Sequence, residues 1–194
     1  MPIEIDIQAL KAKNEDAFRH LVNLFGRDIF NVCLGIIPNT EDAEDLSQET
    51  FVKAFNSIDS FREDAQIKTW LIRIAINLCY DHLKWSKRKK RHAIMQPLFN
   101  RDDEPIEIPS NFQHPGIALE NKEHAKVLYA ALETLPESQH TAFLLYEMQG
   151  LNYKEIAETM AVSVSSVEAL LFRARAALRK KLHTYYNDYA SFRK

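Results

Sequence analysis

Tyr153-Lys154-Glu155-Ile156-Ala157-Glu158-Thr159-Met160-Ala161-Val162-Ser163-Val164-Ser165-Ser166-Val167 reads as two helices joined by a very short turn. Ile156 and Ala157 fall on the inner face, and the small Ala157 lets the two helices approach. Val162 is expected to plug the turn, with Val164 and Val167 anchoring the second helix. Ser163 can cap that helix, while Ser165 and Glu168 have capping-box spacing two residues later, and only one of these caps can be right. The helices are expected over residues 153–160 and 163–181, a helix-turn-helix pattern. In such a unit the second helix enters the DNA major groove and its N-terminal half meets base edges. Ser165, Ser166, Glu168, Ala169, Phe172 and Arg173 point outward for that task. Arg175, Arg179 and Lys180 can hold phosphates, which position a protein without reading sequence. The competing reading is an ordinary helical hairpin with a solvated basic face. Turn spacing, capping and basic tail agree better with groove docking.

Just upstream, Ala125, Leu128, Ala131, Leu132 and Leu135 mark one helix. Pro136 suits the first position of the next, through Ala142, Phe143, Leu145 and Tyr146, and Gly150 is placed to stop it. Further back, residues 92–117 hold Pro97, Pro105, Pro109 and Pro115 and an acidic cluster at Asp102-Asp103-Glu104. That length is too great for an ordinary loop and reads as an interdomain linker. It separates a first domain, residues 1–91, from a second, residues 118–194.

The first domain shows three helical patterns. Residues 16–37 carry Phe18, Leu21, Val22, Phe25, Ile29, Val32, Cys33 and Ile36 at helical spacing. Pro38 breaks the pattern, and either Asn39 or Thr40 can cap the next helix. Residues 41–58 carry the stripe Ala43, Leu46, Phe51, Ala54, Phe55 and Ile58, with acidic residues in the first turns where the helix dipole favours them. Residues 59–65 read as a loop. The third pattern is the cleanest, with Ile67, Trp70, Leu71, Ile74, Ala75, Leu78, Cys79, His82 and Leu83 on one face.

The chain is therefore expected to be all-α, two small helical domains joined by a flexible linker, the second a helix-turn-helix bundle. Only 4 glycines argue against phosphate-cradling loops and turn-rich β folds. Formal net charge is only −2, but charge is segregated. Residues 1–60 hold eleven acidic and five basic residues; six of eight are basic over 84–91, and five of nine over 173–181. Opposite local fields on different faces follow. The 7 histidines are scattered without metal-ligand spacing, and no nucleophile elbow, P-loop or HExxH is present. No catalytic residue, metal or cofactor is expected. Cys33 and Cys79 both fall in apolar patterns and suit buried reduced thiols, a disulfide remaining the alternative. The acidic start lacks the features of a signal peptide, and no apolar run is long enough to span a bilayer. A cytoplasmic chain without membrane insertion is expected.

Three stretches, in order, resemble one family. Asp42-Ala43-Glu44-Asp45-Leu46-Ser47-Gln48-Glu49-Thr50-Phe51 is similar to the polymerase-binding helix of extracytoplasmic-function (ECF) sigma factors, a group of the sigma-70 family. Phe61-Arg62, followed by Lys68-Thr69-Trp70-Leu71-Ile72-Arg73-Ile74-Ala75-Ile76-Asn77, resembles their −10-reading region. The helix-turn-helix resembles their −35-reading region. The resemblance implies a sigma factor that binds core RNA polymerase, reads promoter DNA at both elements and aids its melting. It also implies an anti-sigma partner. Asp45, Gln48 and Glu49 would dock on polymerase. Residues 61–67 would form a pocket for a flipped base, with Phe61, Arg62, Lys68, Arg73 and Asn77 at the −10 element. Lys84, Lys87 and Arg88 would hold phosphates. Ser165, Ser166, Glu168, Ala169, Phe172, Arg173 and Arg175 would serve the −35 element. At Glu168, Ala169 and Leu170 the helix lacks the basic and small polar residues of many members. An acid there repels phosphate but can accept a hydrogen bond from cytosine N4. A helix-turn-helix regulator acting without polymerase is the alternative, and it leaves the first two stretches unexplained.

Overall fold

The computed structural model describes residues 5–62, 66–94 and 122–192, except the side chains at 87, 90–94, 122–126 and 184–192. The described residues form eight α-helices and one 3-10 turn, with no strand. The chain divides into two compact units, Met1–Pro109 and Ser110–Lys194. Most of the expected 92–117 linker lies outside the described residues.

In the first unit, α1 (Ile7–Lys11) is a short helix without counterpart in the periodic reading. Its Asp6 side chain accepts from the Ala9 N–H at 2.9 Å. Lys13 then adopts φ 56°, and the Asn14 N–H returns to the Ala9 carbonyl at 3.0 Å, closing the helix in the left-handed manner usual at helix ends. Asn14 at once caps α2 (Glu15–Ile36), its side chain accepting from the Ala17 N–H at 3.0 Å. Of the two candidate caps for α3 (Thr40–Ser57), Asn39 is used. The 3-10 turn Ile58–Ser60 leads to Phe61, and α4 (Ile67–Ile94) follows. That helix continues through residues 92–94, past the expected domain end.

Helices α2, α3 and α4 pack on one another, and α1 covers the 3-10 turn. Leu10, Leu21, Ile29, Val32, Ile58, Leu71 and Ile72 are sealed in the core. A buried Leu or Ile of this kind contributes ~2 kcal/mol. The α3 stripe is rotated from its expected place. Thr50 is fully buried and donates its hydroxyl to the Leu46 carbonyl at 2.7 Å, while Phe51 and Phe55 are only half-buried. Cys33 and Cys79 are free thiols, both fully buried. Their mutual hydrogen bond and their burial push the Cys79 thiol well above the ordinary range.

The second unit comprises α5 (Lys122–Leu132), α6 (Glu137–Glu147), α7 (Tyr153–Met160) and α8 (Val164–Phe192). Helix α8 packs against the other three. Ala131, Leu132, Leu135, Ala174 and Leu178 form its core with Leu128, Tyr129, Phe143 and Leu182 against them. Pro136 occupies the N-cap of α6 and not its first turn. Gly150 takes φ 66°, a conformation glycine adopts without steric cost, and the Leu151 N–H returns to the Leu145 carbonyl at 3.1 Å.

Candidate nucleic-acid interface

The helix-turn-helix is built from local rules. Asn152 accepts from the Lys154 and Glu155 N–H groups, and Glu155 reaches back to the Asn152 N–H at 2.8 Å, a complete capping box. Ile156, Ala157 and Val167 are buried between α7 and α8 as expected. The turn differs from expectation. Val162 and Val164 are 38% and 39% exposed, so neither plugs it. The chain instead reverses on Ala161, a non-glycine residue at φ 54°, with the Val162 N–H returning to the Ala157 carbonyl at 3.0 Å. Of the two serine caps, Ser163 is used, accepting from the Ser166 N–H at 3.2 Å.

Along α8, Ser165, Ser166, Glu168, Ala169, Phe172 and Arg173 are all exposed, Phe172 to 75%. They form one continuous outer surface beginning at the helix N-terminus. Arg175 makes contacts within the unit. Its guanidinium pairs with Glu147 of α6 at 3.2 Å and covers the Tyr146 ring at 4.9 Å. The hydrogen bond to Glu147 raises its already high pKa further. Arg175 thus ties α8 to α6, and a phosphate would have to compete with Glu147 for it. A groove of about 390 Å³ lies beside it, lined by Tyr153, Glu168, Phe172, Arg175, Ala176 and Arg179.

In the first unit, Asp45, Gln48 and Glu49 are exposed together on α3, while Ala43, Leu46 and Ala54 on its other side are buried. Val52, 60% exposed, extends the same face. Sequence reasoning passed over it, although its three- and four-residue spacing from Glu49 and Gln48 places it there.

On α4, Arg73 and Asn77 are exposed one turn apart, and Lys84 and Arg88 continue that row toward the helix end. Lys84 shares an exposed ion pair with Asp81 at 3.2 Å, and Arg88 Nε donates to the Lys84 carbonyl at 3.3 Å. The Lys87 side chain lies outside the described residues, as do residues 63–65 of the expected base pocket. Two expected DNA contacts also make contacts within the unit. Phe61 is 5% exposed and packs on Trp70, ring centroids 5.3 Å apart, so its ring supports the loop from within. Lys68 pairs with Asp28 of α2 at 2.7 Å and holds α4 to α2. Arg62 is exposed. Among the described residues no group of three or more His, Cys, Asp or Glu could hold a metal, and no helix is long and apolar enough to cross a membrane.

Comparison with known proteins is consistent across both units. The family model described as sigma-70 region 2 matches residues 21–89, and that described as sigma-70, region 4 matches residues 125–178. The chain is 30% identical over 176 residues to the RNA polymerase sigma-H factor of Pseudomonas aeruginosa, covering 91% of each chain. It is 28% identical over 179 residues to the ECF RNA polymerase sigma-E factor of Escherichia coli (strain K12), covering 92% of this chain and 93% of that one. Its fold is similar to that of the sigma factor RpoE solved in complex with the anti-sigma factor NepR from Bartonella quintana. That match has a TM-score of 0.67 at 22% identity, covering 86% of this chain and 96% of the other. The region 2 match explains the α3 and α4 stretches that a free-standing regulator leaves without a role.

Proposed function

The chain belongs to the extracytoplasmic-function group of sigma factors in the sigma-70 family, and from that membership we propose which of its surfaces carries each step. The protein directs promoter-specific transcription initiation by core RNA polymerase. We assign polymerase docking to Asp45, Gln48 and Glu49 on α3, with Val52 as the apolar contact among them. The observation that carries this assignment is their joint exposure on a helix whose other side is sealed in the core.

Residues 1–91 act at the −10 element and residues 118–194 at the −35 element. On α4, the Arg73 guanidinium and Asn77 amide suit phosphate and base-edge contacts. Arg62, Lys84, Lys87 and Arg88 hold phosphates, releasing counterions as they do so. The outer surface of α8, from Ser165 to Arg173, reads the −35 duplex. Glu168 accepts a donor such as cytosine N4 there. Phosphodiester chemistry belongs to the polymerase, so the chain needs no catalytic group, metal or cofactor of its own. An anti-sigma factor holds the protein inactive, a reading supported by the solved relative bound to one. Its place of work is the cytoplasm, where polymerase and promoter meet.

Reconstitution tests the core of this reading. The purified protein, added to sigma-free bacterial core polymerase, is expected to co-elute with it and to give discrete transcripts from genomic fragments. A core enzyme active with a control sigma factor, yet neither bound nor directed by this protein, would overturn it.

A further inference from the structure

Trp85 is unaccounted for by the surfaces described above. It is 54% exposed on α4 and lies seven residues past the buried Leu78, on the same side of the helix. The apolar stripe continues there after the bundle that buried it has ended. The Lys89 ammonium stands 5.0 Å over the indole, and the His82 ring flanks it at 6.0 Å. Lys84 and Arg88 are exposed on either side along the helix, and Asp81 is the acidic neighbour, one turn back. An indole set among cations is the arrangement by which proteins seat a nucleotide, the ring taking the flat apolar part and the cations its phosphates.

We propose that Trp85 is a DNA-contacting residue of this sigma factor, an apolar platform on which one promoter nucleotide seats while Lys84, Arg88 and Lys89 hold the adjoining phosphates. The inference rests on the assignment of α4 to the −10 region. The helix supplies the register: Trp85 is eight residues beyond Asn77, about 12 Å along the axis. At 3.4 Å per nucleotide, that is roughly three or four positions from the one Asn77 meets. The exposed Lys84–Asp81 pair is no obstacle, because surface pairs of this kind are worth little and a phosphate can replace the carboxylate.

The test uses holoenzyme formed with the wild-type protein, Trp85→Ala, Trp85→Phe and Lys84→Ala, on a promoter recovered by the reconstitution above. Each binds that promoter fully paired and with its −10 region held open by mismatches, over a range of salt. Trp85→Ala is expected to weaken binding about 5- to 150-fold, the range for one lost aromatic stack. Its salt dependence should match wild type, because no phosphate contact is lost. Trp85→Phe should recover most of the affinity, and Lys84→Ala should flatten the salt dependence by about one unit. A Trp85→Ala loss confined to the open template assigns the platform to an unpaired base; an equal loss on the paired one assigns it to a duplex nucleotide. Unchanged affinity of Trp85→Ala on both templates overturns the proposal, as does a loss fully explained by weaker co-elution with core. Failure of the sigma-factor assignment is a separate result, in which the wild-type protein itself neither co-elutes nor gives transcripts.

Discussion

Thr69, in the first turn of α4, carries a buried hydroxyl with no hydrogen-bond partner. The residue is 4% exposed, and its Oγ1 is unsatisfied. Burying such a group costs ~1–3 kcal/mol, and replacing it by a methyl of similar shape removes the penalty. Thr69→Val is therefore expected to stabilise the protein by ~1 kcal/mol, read as a raised thermal midpoint by circular dichroism; an unchanged or lowered midpoint would mean the hydroxyl is satisfied in solution. His140 on α6 carries a different cost. Burial lowers its pKa below the ordinary histidine value. The unfolded chain thus takes up a proton that the native one refuses as pH falls below about 6.5. Stability should be full above that pH and decline as pH drops through the lowered native value, and His140→Gln should flatten the decline in denaturant melts taken from pH 7.5 to 5. Neither feature was legible in sequence. The apolar pattern selected Trp70 for the core and passed over Thr69 beside it, because a threonine gives no hydrophobic signal. The internal contacts of Phe61 and Lys68 were missed for a similar reason. Their partners, Trp70 and Asp28, are set by packing between elements, which residue type alone does not encode.

Elements governed by local rules were read well where the rules are strong. The hairpin of α7 and α8 follows from the small Ala157, the buried Val167 and a serine cap, all within one short stretch. The turn itself was misjudged, since Val162 and Val164 look like core residues until Ala161 takes φ 54° and carries the chain outward. Alanine pays a steric cost of ~1 kcal/mol there that glycine does not. Two substitutions should therefore move stability in opposite directions. Ala161→Gly is expected to gain ~0.5–1 kcal/mol, and Asn152→Ala, which removes the capping box, to lose ~1–2 kcal/mol. Chemical denaturation of the two variants checks both signs, and a destabilised Ala161→Gly would show that the left-handed residue is not under strain. Helix lengths were the weakest reading. Five-residue α1 is too short for a periodic signal, and it is held by its end contacts. Helices α4 and α8 run to Ile94 and Phe192, past the expected ends, because no proline or glycine follows their basic runs before those ends.

Across the whole molecule, a net charge of −2 conceals the separation of an acidic face on α3 from basic surfaces on α4 and α8. That separation was visible in the sequence because charge runs need no tertiary information, and the exposure of Asp45, Gln48 and Glu49 together with Arg73 and Asn77 gives it a physical location. It also makes the two activities separable by mutation. Asp45→Lys reverses one charge on the proposed docking face, and rim charges of a charged interface act on association and its salt dependence. It should weaken core binding about tenfold or more while leaving the surface of α4 unaltered. Asn77→Ala removes a neutral amide from an exposed helix position, which costs the fold little. Its loss falls on base contact, where one well-placed amide is worth ~1–3 kcal/mol. Core co-elution should then stay within about twofold of wild type while open complexes, followed by permanganate reactivity of unpaired thymines, fall about tenfold. A loss of core co-elution by Asn77→Ala as large as its loss of open complexes would place Asp45 and Asn77 on a single functional surface. Intact core binding by Asp45→Lys would remove α3 from the docking face altogether.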